Sequence, residues 1–102
     1  MEDKSVRLLV LAADYPNLKG NVALMYIHTR NLNYINQGID VTVLNFKAKR
    51  NYTIDGVKVI TLNEYLSNTG KHDILIGHAP NLRNHFNFLI KHAKKFKAVV
   101  LF

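Results

Sequence analysis

The first sustained feature of the chain is Val6–Ala13 (VRLLVLAA), apolar at every position except Arg7. A run without polar alternation predicts a parallel strand covered by helices on both faces. After a break at Asp14–Asn21, Leu24, Met25, His28, Leu32 and Ile35 fall on one helical face, with Asn21 as the N-cap and Gly38 as the terminator. Asp40–Phe46 (DVTVLNF) predicts a second strand. The resulting strand–helix–strand unit is a right-handed crossover and sets the class as α/β.

Further along, Tyr52–Ile54 and Val57–Ile60 flank Asp55-Gly56, a two-residue hairpin turn whose second arm continues as the third strand. Residues Asn63–Asn68 predict a short helical or turn segment ending at Gly70. The fourth strand is Asp73–Gly77 (DILIG), and Pro80 suits the first turn of the helix that follows. Leu82, Phe86, Leu89, Ile90, Ala93 and Phe96 form a continuous apolar stripe on that helix, predicted to be its buried face. Ala98–Phe102 (AVVLF) is the fifth strand. The architecture expected is a three-layer α/β sandwich with a mostly parallel five-stranded sheet, strand order 3-2-1-4-5 and helices on both faces. An apolar strand at 98–102 calls for cover on both faces, so the chain is read as a truncated, partial domain, and the bare edge of that last strand as a place where two chains would pair.

Composition narrows the function classes. The 48% apolar content over 102 residues suits one small globular core. The absence of cysteine excludes disulfides, thiolate zinc and thiol catalysis. No charged-then-apolar leader and no apolar run near the roughly 20 residues of a bilayer span is present, which makes a cytoplasmic location the expectation. The formal charge of +7, from 14 Lys and Arg against 7 Asp and Glu, favours an anionic partner.

Ligands of open parallel sheets sit at the carboxyl ends of the strands, where successive connections part to opposite faces. If the fourth strand lies beside the first, the cleft is bordered by Asp14, Tyr15, Lys19, Gly20 and Asn21 on one side and by His78 and Asn81 on the other. Gly20 precedes a helix N-terminus, where free N–H groups favour an anion, and His78 ends an apolar strand with a side chain able to donate or accept near neutral pH. A simple tight turn and a helix-capping histidine are the plainer readings of the same two residues. His28, on the apolar face of its helix, reads as a hydrogen-bonded core or boundary histidine. His78, His85 and His92 recur every seven residues, but seven helical residues rise about 10.5 Å, too far for one metal ion, and no metal or cofactor is expected. Arg83, Lys91, Lys94 and Lys95 occupy one arc of the last helix, read as lying opposite the apolar stripe: a solvated face, or a basic patch facing an anionic membrane. Nucleic acid is not expected as a partner, because the aromatic residues fall on apolar stripes and do not interleave with the basic ones.

The order of these segments resembles the opening of retaining glycosyltransferases of the two-Rossmann-domain GT-B architecture. The carriers are Val6–Ala13 followed by Pro16 and Gly20, the helix end at Asn36–Val43 (NQGIDVTV), the Asp55-Gly56-Val57-Lys58-Val59 hairpin, and the Asp73–His78 strand end (DILIGH). Two positions depart from the family pattern: Lys19-Gly20 stands where members commonly have Gly-Gly, and Ile76 replaces the first histidine of the strand-end pair. The resemblance implies a Rossmann-like, acceptor-side N-terminal domain, with Gly20 near donor phosphates or acceptor and His78 lining the acceptor side of the cleft. It implies a nucleotide-sugar substrate, a cell-envelope, lipid-linked or polysaccharide acceptor, and a C-terminal donor domain that this chain lacks, so that the chain alone is inactive and no catalytic residue is assigned within it. The alternative is a stand-alone, non-catalytic α/β binding module of flavodoxin shape. Against that alternative, Asp14 stands without the acidic cluster a receiver domain requires, and the Asp14–Asn21 loop is not the hydroxyl- and Gly-rich loop of a flavin site.

Overall fold

A computed structural model describes residues 6–15, 25–67, 72–77 and 83–102. The described strands are β1 (Arg7–Ala12), β2 (Asp40–Asn45), β3 (Tyr52–Ile54), β4 (Val57–Ile60), β5 (Ile74–Gly77) and β6 (Ala98–Leu101). The helices are α1 (Met25–Asn36), α2 (Leu62–Ser67) and α3 (Arg83–His92), which runs into a 3-10 turn at Ala93–Lys95. The strands form one sheet in the order β3-β4-β2-β1-β5-β6. All neighbours are parallel except β3 and β4.

The α/β class and mostly parallel sheet agree with the sequence pattern, whereas the expected count of five strands in order 3-2-1-4-5 needs correction. The first arm of the Asp55-Gly56 hairpin pairs with the second, Tyr52 opposite Val59 and Ile54 opposite Val57, and becomes a sixth, antiparallel edge strand. The turn chemistry accounts for it: Asp55 and Gly56 hold φ of 51° and 84°, the positive pair that a two-residue turn matched to strand twist requires.

β1 is the axis of the molecule. Leu8, Val10 and Ala12 face one side with Val41, Val43, Val57, Val59 and Ile76, and α1 covers them through Ile27, Leu32, Tyr34 and Ile35. Leu9 and Leu11 face the other side with Leu44, Ile60 and Leu75, under Tyr65 of α2 and Phe88 and Leu89 of α3. Both faces of β1 are therefore dry, which explains its unalternated sequence. At the amino edge Asp73 gathers three strands: it exchanges backbone and side-chain hydrogen bonds with Arg7, its N–H donating to the Arg7 carbonyl (2.8 Å) and its Oδ2 accepting the Arg7 N–H (2.9 Å), and its carbonyl accepts from Lys97 N–H (2.8 Å).

Local signals set the helix ends. Thr61 caps α2, its Oγ1 accepting the Glu64 N–H at 3.0 Å. α1 ends at Gly38, with the Gly38 N–H donating to Ile35 and the Ile39 N–H to Tyr34. Gly38 takes a φ of 84°. A side chain at Gly38 would meet no neighbour within 4 Å, so only backbone conformation selects glycine there. Gly38→Ala is accordingly expected to lower stability by about 1 kcal/mol in urea denaturation with an unchanged slope.

Candidate functional site

The strand order reverses between β1 and β5. The chain leaves β1 through α1 to β2 on one flank, and leaves β5 through α3 to β6 on the other. Their register sets Leu11 against both Leu44 and Gly77, so the carboxyl ends of β1, β2 and β5 stand level at one edge. This is the geometry in which open α/β sheets bind ligands. Of the side chains expected around this edge, Lys19, Gly20, Asn21, His78 and Asn81 lie outside the described residues, and Asp14 and Tyr15 lie within them.

Asp14 follows β1 half-buried, and its Oδ1 accepts the Tyr15 N–H at 2.9 Å. Tyr15, expected to border the cleft, turns inward and is completely buried within the α1-side core. Its hydroxyl lies 2.7 Å from His28 Nδ1 and accepts from Asn31 Nδ2 at 2.9 Å. The far ring nitrogen of His28, Nε2, sits 2.9 Å from Asp55 Oδ2 in the hairpin turn. A carboxylate only accepts, so His28 Nε2 donates to Asp55, and in the tautomer with its single proton there Nδ1 accepts from the Tyr15 hydroxyl. Every polar atom of the Tyr15–His28 pair then has a partner. Desolvation pushes the Tyr15 hydroxyl up to about 12, against the opposing pull of the Asn31 hydrogen bond, so it remains a neutral donor throughout the physiological range.

A second set of bonds converges on the Tyr15 backbone. The Tyr52 hydroxyl donates to the Tyr15 carbonyl at 3.4 Å and accepts from Asn45 Nδ2 at 3.2 Å. Asn45 Oδ1 accepts the Lys47 N–H at 3.0 Å. Tyr15 thus ties together the exit of β1, helix α1, the end of β2 and the β3–β4 hairpin. The reading of His28 as a hydrogen-bonded core histidine agrees with this geometry. Asn31, Asn45, Tyr52 and Asp55 carry no comparable signal in the sequence, because their partners are 7 to 37 residues distant along the chain.

On the opposite face the α3 stripe differs from expectation. Phe86 and Ile90 are 56% and 64% exposed, and the buried positions are His85, Phe88 and His92. Aromatic packing selects this rotation: Phe46 meets His85 and Phe88 edge-on (centroids 5.2 and 6.2 Å), and Tyr65 meets Phe88 and His92 at 5.1 and 5.3 Å. Arg83, Lys91, Lys94 and Lys95 are exposed. Arg83 does not lie opposite the apolar pair but shares the outer stripe with Phe86 and Ile90, at i, i+3 and i+7.

His85 is the member of this packing whose polar atoms go unpaired. It is 1% exposed, and neither ring nitrogen completes a hydrogen bond, although the Leu11 backbone lies beside it. Burial lowers its proton affinity, and burial followed by the neighbouring Lys95 and Lys91 charges lowers that of His92. Among the described residues no three His, Asp or Glu side chains group as a metal site, and no helix is long and apolar enough to cross a membrane. No family model, curated protein or solved structure matches the chain.

Three outcomes are expected from these contacts. Tyr15→Phe strands the Asn31 amide and His28 Nδ1 in the core and should cost about 1–3 kcal/mol in urea denaturation. His85→Leu removes two unpartnered nitrogens from an aromatic seam and should raise stability by about 1 kcal/mol. The pH dependence follows from the same residue. Its folded proton affinity is lowered and its unfolded value is 6.5, so stability is undiminished above pH 6.5 and falls as pH drops below it, when the unfolded chain takes up a proton the folded one refuses. His85→Leu should make that fall shallower, measured as the denaturation midpoint between pH 7.5 and about 5.

Proposed function

We propose that this chain is the acceptor-side, Rossmann-like domain of a glycosyltransferase that uses a nucleotide-sugar donor, and that it binds a sugar acceptor at the carboxyl edge of β1 and β5 without turnover by itself. The observation that supports this reading is the reversal of strand order between β1 and β5, the position at which open α/β sheets bind ligands, together with two segments that resemble the corresponding segments of that class. The hairpin at Asp55-Gly56 and the strand end at Asp73–Gly77 occur in the expected sequence order and belong to one sheet, the first at its edge and the second beside β1.

The chemistry available at the described part of this edge is that of binding. Asp14 and Lys47 offer charge, Asn45 and Tyr52 are held by each other, and the Tyr15 hydroxyl is committed to His28 and Asn31. Stabilising a departing nucleotide diphosphate calls for cationic or N–H groups aimed at the developing charge, and in this reading a second domain supplies them. Its location is then cytoplasmic, with the acceptor brought from the cell envelope.

The test is a diphosphate-release assay with UDP-glucose and GDP-mannose as donors and methyl glycosides as acceptors. The expected result is no release above the uncatalysed background with the 102-residue chain alone. Multiple turnover by the isolated chain would refute the two-domain reading, and tight binding of a flavin or a free nucleotide would favour a stand-alone binding module.

A further inference from the structure

The connection from β2 to β3, residues 46–51, carries Lys47, Lys49 and Arg50 within four positions, and no Asp or Glu occurs between Asp40 and Asp55. All three cations are exposed. Other basic side chains are engaged: Arg7 and Lys97 stand beside Asp73, Arg30 lies 4.5 Å over the Phe102 ring, and Lys95 Nζ is 3.2 Å from His92 Nδ1. Among the described residues no carboxylate pairs with Lys47, Lys49 or Arg50.

The backbone that bears these charges is tied down along its length. The Phe46 N–H donates to the Ala12 carbonyl at 3.0 Å, and the Phe46 ring packs edge-on against His85 and Phe88. Asn45, only 3% exposed, turns the chain: its Oδ1 accepts the Lys47 N–H at 3.0 Å and its carbonyl accepts the Ala48 N–H at 3.1 Å. At the far end Asn51 Oδ1 accepts the Thr61 N–H at 3.0 Å. Asn45 is level with Ala12 in the β1–β2 register, so the connection stands beside the exit of β1, on the edge where the strand order reverses. Like charges held so close repel one another, and a bound anion reverses the sign of that interaction.

We propose that Lys47, Lys49 and Arg50 form a subsite for a phosphomonoester carried by the ligand of the carboxyl edge. Near neutral pH such a group bears close to two negative charges and three acceptor oxygens, and the Arg50 guanidinium can hold two of those oxygens at once. In doubly wound sheets an acidic residue after the first crossover reads a free ribose hydroxyl, and an arginine there accommodates a phosphate. This chain offers cations alone at the end of its first crossover. A bilayer does not suit the connection, which exposes no large apolar side chain. Phe46, its own aromatic residue, gives its ring to the α3-side seam and not to a base. The subsite presupposes that the carboxyl edge holds the ligand, and it does not depend on glycosyl transfer. Sugar phosphates and nucleoside monophosphates share the chemistry it recognises.

The whole chain is titrated with glucose 6-phosphate and with adenosine 2′-monophosphate, and in parallel with glucose, adenosine and inorganic phosphate, followed by amide-resolved NMR. Expected are saturable shifts at the amides of residues 47–51, with at least one ester bound roughly ten-fold more tightly than its unphosphorylated parent. Lys47→Gln, Lys49→Gln and Arg50→Gln should each weaken that binding about five-fold. Their urea midpoints should stay at the parent value, because the three side chains are exposed. Tighter binding of glucose 6-phosphate assigns the subsite to sugar phosphates, and tighter binding of the adenosine ester assigns it to nucleotides; either sustains the proposal. Equal affinity for ester and parent, or affinity indifferent to all three glutamine variants, would overturn it. So would inorganic phosphate bound as tightly as both esters, which would mean an adventitious ion only, or a preference for polyuridylate over either monoester. Methyl glycosides do not enter this titration, so its failure leaves the acceptor reading standing.

Discussion

Tyr15 is the point on which the arrangement of this protein depends. It follows β1 directly, and instead of continuing along the edge of the sheet it folds back into the core, where every polar atom it carries is satisfied by a different part of the chain. Its N–H goes to Asp14, its carbonyl to Tyr52 of the hairpin, and its hydroxyl to His28 and Asn31 of α1. His28 then passes the connection on to Asp55. A buried hydroxyl without partners would cost several times what a single satisfied hydrogen bond contributes, so the network holds as a unit or fails as one. Its geometric effect is to set how α1 and the hairpin lie against β1, and so to shape one wall of the carboxyl edge.

The two faces of the sheet solve the burial problem differently. On the α1 side, branched aliphatic side chains pack around this single polar network. On the α3 side an aromatic seam of Phe46, His85, Phe88, Tyr65 and His92 takes its place, with ring centroids as close as 4.6 Å. Burial in the seam disfavours protonation of His85 and His92, and for His92 the Lys95 and Lys91 charges add to the effect. The seam also determines what α3 leaves outside. Once His85, Phe88 and His92 are drawn to the core, Phe86 and Ile90 face outwards, while Lys95 Nζ stays 3.2 Å from His92 Nδ1.

The sequence carried the elements that rest on strong local physics. The apolar run of β1 announced a strand buried on both faces, Asp55-Gly56 announced the hairpin, and Gly38 the end of α1. The first hairpin arm, Tyr52–Ile54, was legible as an arm but not as a sixth strand of the sheet, because it is only three residues long and its pairing is a consequence of the turn more than of its own pattern. The rotation of α3 escaped for a different reason. An apolar count ranks Phe86 and Ile90 above His85 and His92, and only the rings of Phe46 and Tyr65, 39 and 20 residues before His85, make histidine the better inward residue. Tyr15 looked like a cleft residue because its position after β1 was legible and its direction was not. Direction depended on His28 and Asn31, which one-dimensional spacing does not connect to it.

The claim at the centre of this account is that the crevice between the ends of β1 and β5 receives a sugar acceptor. An amide-resolved NMR titration of the folded chain with methyl glycosides tests it most directly. The account predicts saturable shifts gathered at Asp14, Asn45, Lys47 and Gly77, with the amides of β3 and of α3 beyond its first turn unmoved. Shifts spread over the basic face of α3 alone, or none at the carboxyl edge with any glycoside, would contradict it.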